Sequence, residues 1–211
     1  MKISPTLAQK THELYDAWPT HPESAAIDSF VGDIYSGLQA GNLTAEDRRY
    51  AADRLRILSG LYGILRPLDA IRPYRLEMGY RLPADQYKNL YNFWGKKIAQ
   101  HIPTKQTVIN LAAVEYSKVI TPYIDTTRVI APRFLTMHPT TKEATFVVVH
   151  AKIARGAFAH WLLKQRIDDS ARLPEFAEIG YRYDALLSTP QEPVFVCQEF
   201  GGKGLSMRLE R

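Results

Sequence analysis

LSGLYGILRPLDAIRPYRLEMG, residues 58–79, sets three glycines, two prolines and three arginines among side chains that otherwise suit a core. Gly60 and Gly63 stand three apart, a spacing that permits tight or left-handed backbone which other residues resist. Pro67 suits the first turn of a helix, and Pro73 ends that helix early. Upstream, Thr44-Ala45-Glu46-Asp47 opens a helix with an acidic residue three places after the cap threonine, and Ala51, Leu55 and Leu58 form its inner stripe. The stretch therefore predicts a helix, a tight glycine turn, a short helix and an extended exit through RPYRLEMG.

Charge concentrates around the same turn. Residues 48–81 hold Arg48, Arg49, Arg54, Arg56, Arg66, Arg72, Arg75 and Arg81 against Asp53, Asp69 and Glu77, a net +5 equal to that of the whole chain. No lysine occurs there. The planar guanidinium fork suits bidentate phosphate contact better than an ammonium does. The competing reading is a solvated surface whose arginines pair with neighbouring acids, Arg66 and Arg75 with Asp69 and Glu77, because an unpaired buried charge is costly.

Outward from this region, Ser4-Pro5 reads as N-cap and first helical residue, with Leu7, Thr11, Leu14 and Trp18 on one face. A second helix is expected from about Pro22, carrying Ala26, Phe30, Ile34 and Leu38. Tyr87, Leu90, Tyr91, Trp94 and Ile98 mark another. TVINLA (107–112), RVIAPRFLT (128–136), ATFVVVHA (144–151), VFVCQEF and LSMRLER read as strands, and EYSKVI as a short helical turn. AKIARGAFAHWLLKQRI (151–167) reads as a helix, and GGKG (201–204) as a plain turn. Without repeats, low-complexity tracts or linkers, the 211 residues predict one mixed α/β domain, residues 1–211, its sheet ringed by helices. Its N-terminal part, 1–101, is helical, and the sheet lies in 102–211.

Several chemistries find no motif. No apolar run approaches the roughly 20 residues of a membrane helix, and the N-terminus carries no apolar signal core. The only cysteine, Cys197, excludes an internal disulfide or a thiolate cage and reads as an inert buried thiol in a reducing cytoplasm. The six histidines stand apart from one another, so no metal or other cofactor is expected. Neither a nucleophile elbow nor a Walker or dinucleotide loop occurs, and no catalytic residue is assigned.

What remains is polar residues lodged in apolar segments: Arg66, Arg75 and Glu77 beside the glycine turn, Asn110 in TVINLA, then Glu115, Tyr116 and Lys118, and finally Lys152 and Arg155. Parallel strands would bring Asn110 and Lys152 to one rim, where α/β folds hold ligands.

FVGDIYSGL (30–38), LSGLYGILRPLDAIRPYRLEMG (58–79), YNFWG (91–95), VINLAAVEYSKV (108–119), AKIARG (151–156) and Gly180-Tyr181 follow one another as the signature blocks of the YaaA family of peroxide stress proteins do, and the chain resembles that family across 30–182. The resemblance implies a cytoplasmic protein that limits free intracellular iron under peroxide stress and binds DNA, without sequence preference, through a helix-hairpin-helix and a basic cleft. On that basis Gly60 and Gly63 would offer bare amides to a phosphate, with Arg54, Arg56, Arg66, Arg72 and Arg75 supplying charge. Glu77, Asn110, Glu115, Tyr116, Lys118, Lys152 and Arg155 would line the cleft. The alternative is an enzyme, or a nucleotide- or nucleobase-binding protein, using those cleft residues. Family members begin further upstream with a Ser-Pro-Ala-Lys strand that Ile3-Ser4-Pro5 imitates only superficially, so this chain is expected to lack that segment. Ala113 and Val114 stand where the family carries polar residues, and Gly-x-x-Gly replaces the commoner Gly-x-Gly turn.

Overall fold

The computed structural model describes residues 4–82 and 86–205; the expected closing strand LSMRLER lies almost wholly outside them. In chain order the helices are α1 Pro5–Asp16, α2 Ala26–Ser29, α3 Asp33–Leu38, α4 Ala45–Arg54, α5 Leu90–Trp94, α6 Val114–Ser117 and α7 Val148–Lys164. The strands are β1 Ser24–Ala25, β2 Ile57–Ser59, β3 Gly63–Leu65, β4 Ala70–Ile71, β5 Val108–Ile109, β6 Val129–Ile130, β7 Arg133–Met137, β8 Ala144–Thr145, β9 Tyr181–Tyr183 and β10 Val194–Cys197. The mixed α/β class expected from the sequence holds. The chain divides into two compact units, one of Met1–Ser29, Ala51–Thr104 and Val114–Ile124, the other of Phe30–Tyr50, Lys105–Ala113 and Asp125–Arg211.

In the first unit, α1 starts where Ser4-Pro5 predicted, with Ser4 Oγ accepting from the Leu7 amide at 3.3 Å. The expected helix–turn–helix at residues 45–72 is not there. After α4 the chain extends, and β2 pairs antiparallel with β3, Ser59 opposite Gly63. The glycines thus close a β-hairpin. Leu58 and Ile64 alternate with buried neighbours on each strand, a period of two that a helix cannot satisfy. Pro67 starts no helix: the Arg66 amide donates to Asp69 Oδ2 at 2.7 Å, and the Asp69 amide returns to the Arg66 carbonyl at 3.2 Å. This tight turn leads into β4, which pairs antiparallel with β1. The helix expected over residues 87–98 is cut short, because α5 stops at Gly95 with φ at +48°.

The second unit contains a four-stranded mixed sheet ordered β8-β7-β10-β9, in which β7 and β10 run parallel. Phe134 of β7 packs near-parallel on Phe195 of β10 at 5.5 Å and edge-on to Phe158, Phe176 and Tyr181. These rings form the buried centre. The strand expected over 144–151 is only Ala144–Thr145, since Val147 caps α7 and Val148 already begins it. The helix expected from Pro22 to Leu38 is broken into α2 and α3 at Gly32, whose φ is +123°. TVINLA is strand only at Val108–Ile109, parallel to β6.

The Thr44 signal is borne out. Thr44 Oγ1 accepts from the Asp47 amide at 3.1 Å, and Asp47 Oδ2 accepts from the Thr44 amide at 3.0 Å. Lys164 Nζ and Arg166 Nη2 each reach Asp47 at 2.9 Å, with its side chain only 6% exposed. The Lys164 ammonium, then the Thr44 amide, hold this carboxyl well below its ordinary value of 3.8. A depressed carboxylate stabilises the fold above its unfolded value and loses that contribution as pH falls toward the folded one. Asp47→Asn is therefore expected to lower Tm by several degrees at neutral pH. The gap to the parent should narrow as pH falls below about 4, where the unfolded chain's carboxyl takes up a proton that the folded one still refuses; thermal melts across pH read both.

Candidate functional site

The hairpin turn is the anchor of the site in the first unit. Ser59 Oγ accepts from the Tyr62 amide at 2.9 Å and lies 2.6 Å from the Tyr74 hydroxyl. The Trp94 indole N–H donates to the Gly60 carbonyl at 3.0 Å. Gly63 has φ +77°, and a Cβ there would lie 2.8 Å from Trp94 Cη2; one at Gly60 would collide with the Leu76 carbonyl. Both glycines are buried. The turn is thus a β-hairpin and not a helix-hairpin-helix, and the missing Cβ atoms admit Leu76 backbone and the Trp94 ring, which weighs against the phosphate role expected of Gly60 and Gly63.

The arginines divide. Arg72 is committed within the protein, its Nε donating to the His21 carbonyl at 3.1 Å, Nη2 pairing with Glu23 at 3.1 Å, and the guanidinium lying 5.3 Å from the Trp18 ring. Arg75 Nη2 pairs with Glu77 Oε1 at 3.0 Å. Arg54 lies exposed in the last turn of α4. Arg56 Nη1 donates to the carbonyls of Ala52 and Leu55, at 2.9 and 2.7 Å, which fixes the guanidinium while leaving its other donors available. Arg66 is exposed, and among the described residues its guanidinium has no hydrogen-bond or ion-pair partner.

Arg56 and Arg66 line a pocket of about 290 Å³ with Tyr62, Ile64, Leu65, Asp69, Trp94, Lys97, Ile98 and His101. Among the described residues the only lining carboxylate, Asp69, already accepts from the Arg66 amide. Lys97 Nζ lies 4.9 Å from the Phe93 ring centroid. Tyr62 is held at its hydroxyl, which accepts from the Arg72 amide at 3.0 Å, and by the edge of Tyr74 at 5.5 Å. Sequence reasoning found Arg56 and Arg66 but missed Lys97 and His101. Nothing in two exposed side chains after a short helix signals that the chain turns them toward β3.

The expected cleft residues are shared between the units. Glu77, Glu115, Tyr116 and Lys118 belong to the first, and Asn110, Lys152 and Arg155 to the second. Within the first unit, Glu115 Oε1 accepts from the Gly79 amide at 2.7 Å, and the Tyr91 hydroxyl donates to the Glu115 carbonyl at 2.8 Å. Burial pushes the Tyr74 phenol up to about 12 and Tyr116 higher still, so both stay neutral near pH 7 and neither serves as a base there. Arg75 Nε and Glu77 Oε2 are buried with no hydrogen-bond partner. Lys118 is exposed.

In the second unit, Asn110 Oδ1 turns back to the Ala112 amide at 3.2 Å. Lys152 stands a turn inside α7 rather than at its start. Arg155 is half-buried, and burial lowers its pKa. Cys197 is fully buried, and burial, aided by Glu199, raises its thiol. This thiol offers peroxide no accessible thiolate. Among the described residues no three or more His, Cys, Asp or Glu side chains are grouped to hold a metal ion, and no helix is long and apolar enough to cross a membrane.

Fold and pocket together define a mixed α/β protein with a basic, aromatic-walled recess beside a β-hairpin. The chain belongs to the peroxide stress protein YaaA family, whose model matches residues 1–187. It is 61% identical to a UPF0246 protein of Salinispora tropica over 210 residues, covering 99% of this chain and 80% of the relative. UPF0246 proteins of Roseobacter denitrificans and Marinomonas sp. are each 41% identical, over 93% and 94% of this chain and 80% and 79% of their own lengths. Family membership supports a role in peroxide stress.

Proposed function

We propose that this protein acts in the cytoplasm during peroxide stress by binding DNA through its phosphates, and that it thereby belongs to the machinery that limits free iron and spares DNA. The observation that carries the DNA reading is the convergence of Arg56, Arg66 and Lys97 on one recess where, among the described residues, the single carboxylate already accepts a backbone amide. The iron reading rests on the family resemblance. Contacts to phosphate position a protein on DNA without reading its sequence. Binding to unrelated duplexes should therefore be equal, and log K should fall linearly with log salt. Arg66→Gln with Lys97→Gln removes two exposed cations and is expected to flatten that slope by about 2, since each lost phosphate contact is worth about 0.9. Fluorescence anisotropy over a salt series measures it; an unchanged slope removes the pocket from the DNA contact.

A second reading is favoured by the unsatisfied Arg75 Nε and Glu77 Oε2. Buried polar atoms are normally paired, and a small polar ligand would pair them. An enzyme, or a nucleotide- or nucleobase-binding protein, would place its ligand at this corner, near Gly79 and Tyr116. Thermal melts with nucleotides and modified bases test it: stabilisation that Glu77→Gln abolishes supports the reading, and no stabilisation by any of them removes it.

A further inference from the structure

We infer that the recess beside the hairpin is a binding site for a phosphate monoester carried next to a planar ring, as found in a free nucleoside monophosphate or a phosphorylated strand end. The inference deepens the DNA reading and rests on the same pocket. Charge is the first reason. Among the described residues, three full cations against one carboxylate leave a surplus of two, and a phosphate monoester carries nearly two negative charges at neutral pH where an internal diester carries one.

Shape is the second. An internal phosphate of a duplex is a convex ridge that docks on a surface, whereas this is a recess of about 290 Å³, near the lower limit for small-ligand sites. Its remaining wall is Tyr62, Ile64, Leu65, Trp94, Ile98 and His101, aliphatic or ring-bearing throughout. A phosphate alone gives such a wall nothing to bind. An unpaired ring attached to the phosphate does, because aromatic side chains accept a base on either π-face.

Preorganisation is the third. Arg56 is fixed by two carbonyls, Trp94 by the Gly60 carbonyl, and Tyr62 by the Arg72 amide. Little side-chain freedom remains to be lost there when a ligand enters. Arg66 and Lys97 are exposed and supply the rest of the charge.

The test uses the full chain at low salt with five probes: deoxyadenosine monophosphate, inorganic phosphate, a short duplex with 5′-phosphates, the same duplex with 5′-hydroxyls, and a covalently closed duplex circle. The phosphorylated duplex should bind at least about tenfold tighter than the hydroxyl form, the scale of one charge-assisted hydrogen bond. The mononucleotide should compete for it better than inorganic phosphate does. Both advantages should vanish in Arg66→Gln with Lys97→Gln, whose circular dichroism and Tm should match the parent because both side chains are exposed. Equal binding of phosphorylated, hydroxyl and circular duplexes overturns the inference and leaves the DNA reading standing. Mononucleotide binding that the double variant loses, with no binding of any duplex, supports the site and overturns the DNA reading. Inorganic phosphate competing as well as the mononucleotide overturns the ring component. No binding by any probe overturns both.

Discussion

Gly156→Ala is expected to lower stability by roughly 2–3 kcal/mol, the upper part of the range for overpacking, and Tm by roughly 5–10 °C. On an isolated helix the same change would stabilise by about 1 kcal/mol, because alanine is the better helix former. The sign reverses because α3 and α7 meet backbone to backbone. A Cβ at Gly156 would strike the Ile34 carbonyl and lie 2.5 Å from the Leu38 nitrogen; one at Gly37 would strike the Ile153 carbonyl and lie 3.0 Å from the Ala157 nitrogen. Backbone cannot swing aside as a flexible side chain can. A Cβ at Gly41 would meet nothing within 4 Å, so Gly41→Ala serves as control and should stay within about 0.5 kcal/mol of the parent. Thermal melts of the pair decide it, and a neutral Gly156→Ala would contradict the close crossing.

Gly63→Ala carries the second large effect, a loss of roughly 2–4 kcal/mol from left-handed strain plus displacement of a packed ring. Its φ of +77° suits glycine, and the added carbon would lie 2.8 and 2.9 Å from Trp94 Cη2 and Cζ3. Trp94 also holds the Gly60 carbonyl, so moving the ring loosens the whole turn. Tm should fall, tryptophan emission should shift, and phosphate binding should weaken because Trp94 lines the recess. An open helical turn offering amides to DNA predicts a different pattern, with binding lost and Tm kept. That pattern would reinstate the reading rejected above.

The sequence carried the local signals well and the pairing poorly. Ser4-Pro5 and Thr44 to Asp47 are helix starts written in adjacent residues, and both appear with the expected cap bonds. Residues 57–65 misled because Ile57-Leu58-Ser59 and Gly63-Ile64-Leu65 are runs too short to distinguish a period of two from a helical stripe. What decides them is their pairing with each other and the ring of Trp94, which approaches from residues far along the chain. VVVH likewise looked like strand because valine is β-branched, yet Val147 caps α7 and the rest opens it, and along that helix Ala151, Ala154 and Ala157 lie buried. Burial of a helix face overrode propensity there. Of the site, the arginines were legible by composition. Which of them are already engaged was not: Glu23, which takes Arg72, and the carbonyls that hold Arg56 are identified only by the fold.

Phosphate entry into the recess formed by Arg56, Arg66 and Lys97 is the decisive event. A crystal structure of the full chain with a short 5′-phosphorylated oligonucleotide tests this most directly. A phosphate is expected within hydrogen-bonding distance of the Arg66 guanidinium and the Lys97 ammonium, with the terminal base against Tyr62 or Trp94. Nucleic acid bound elsewhere on the protein, with this recess empty, would contradict it.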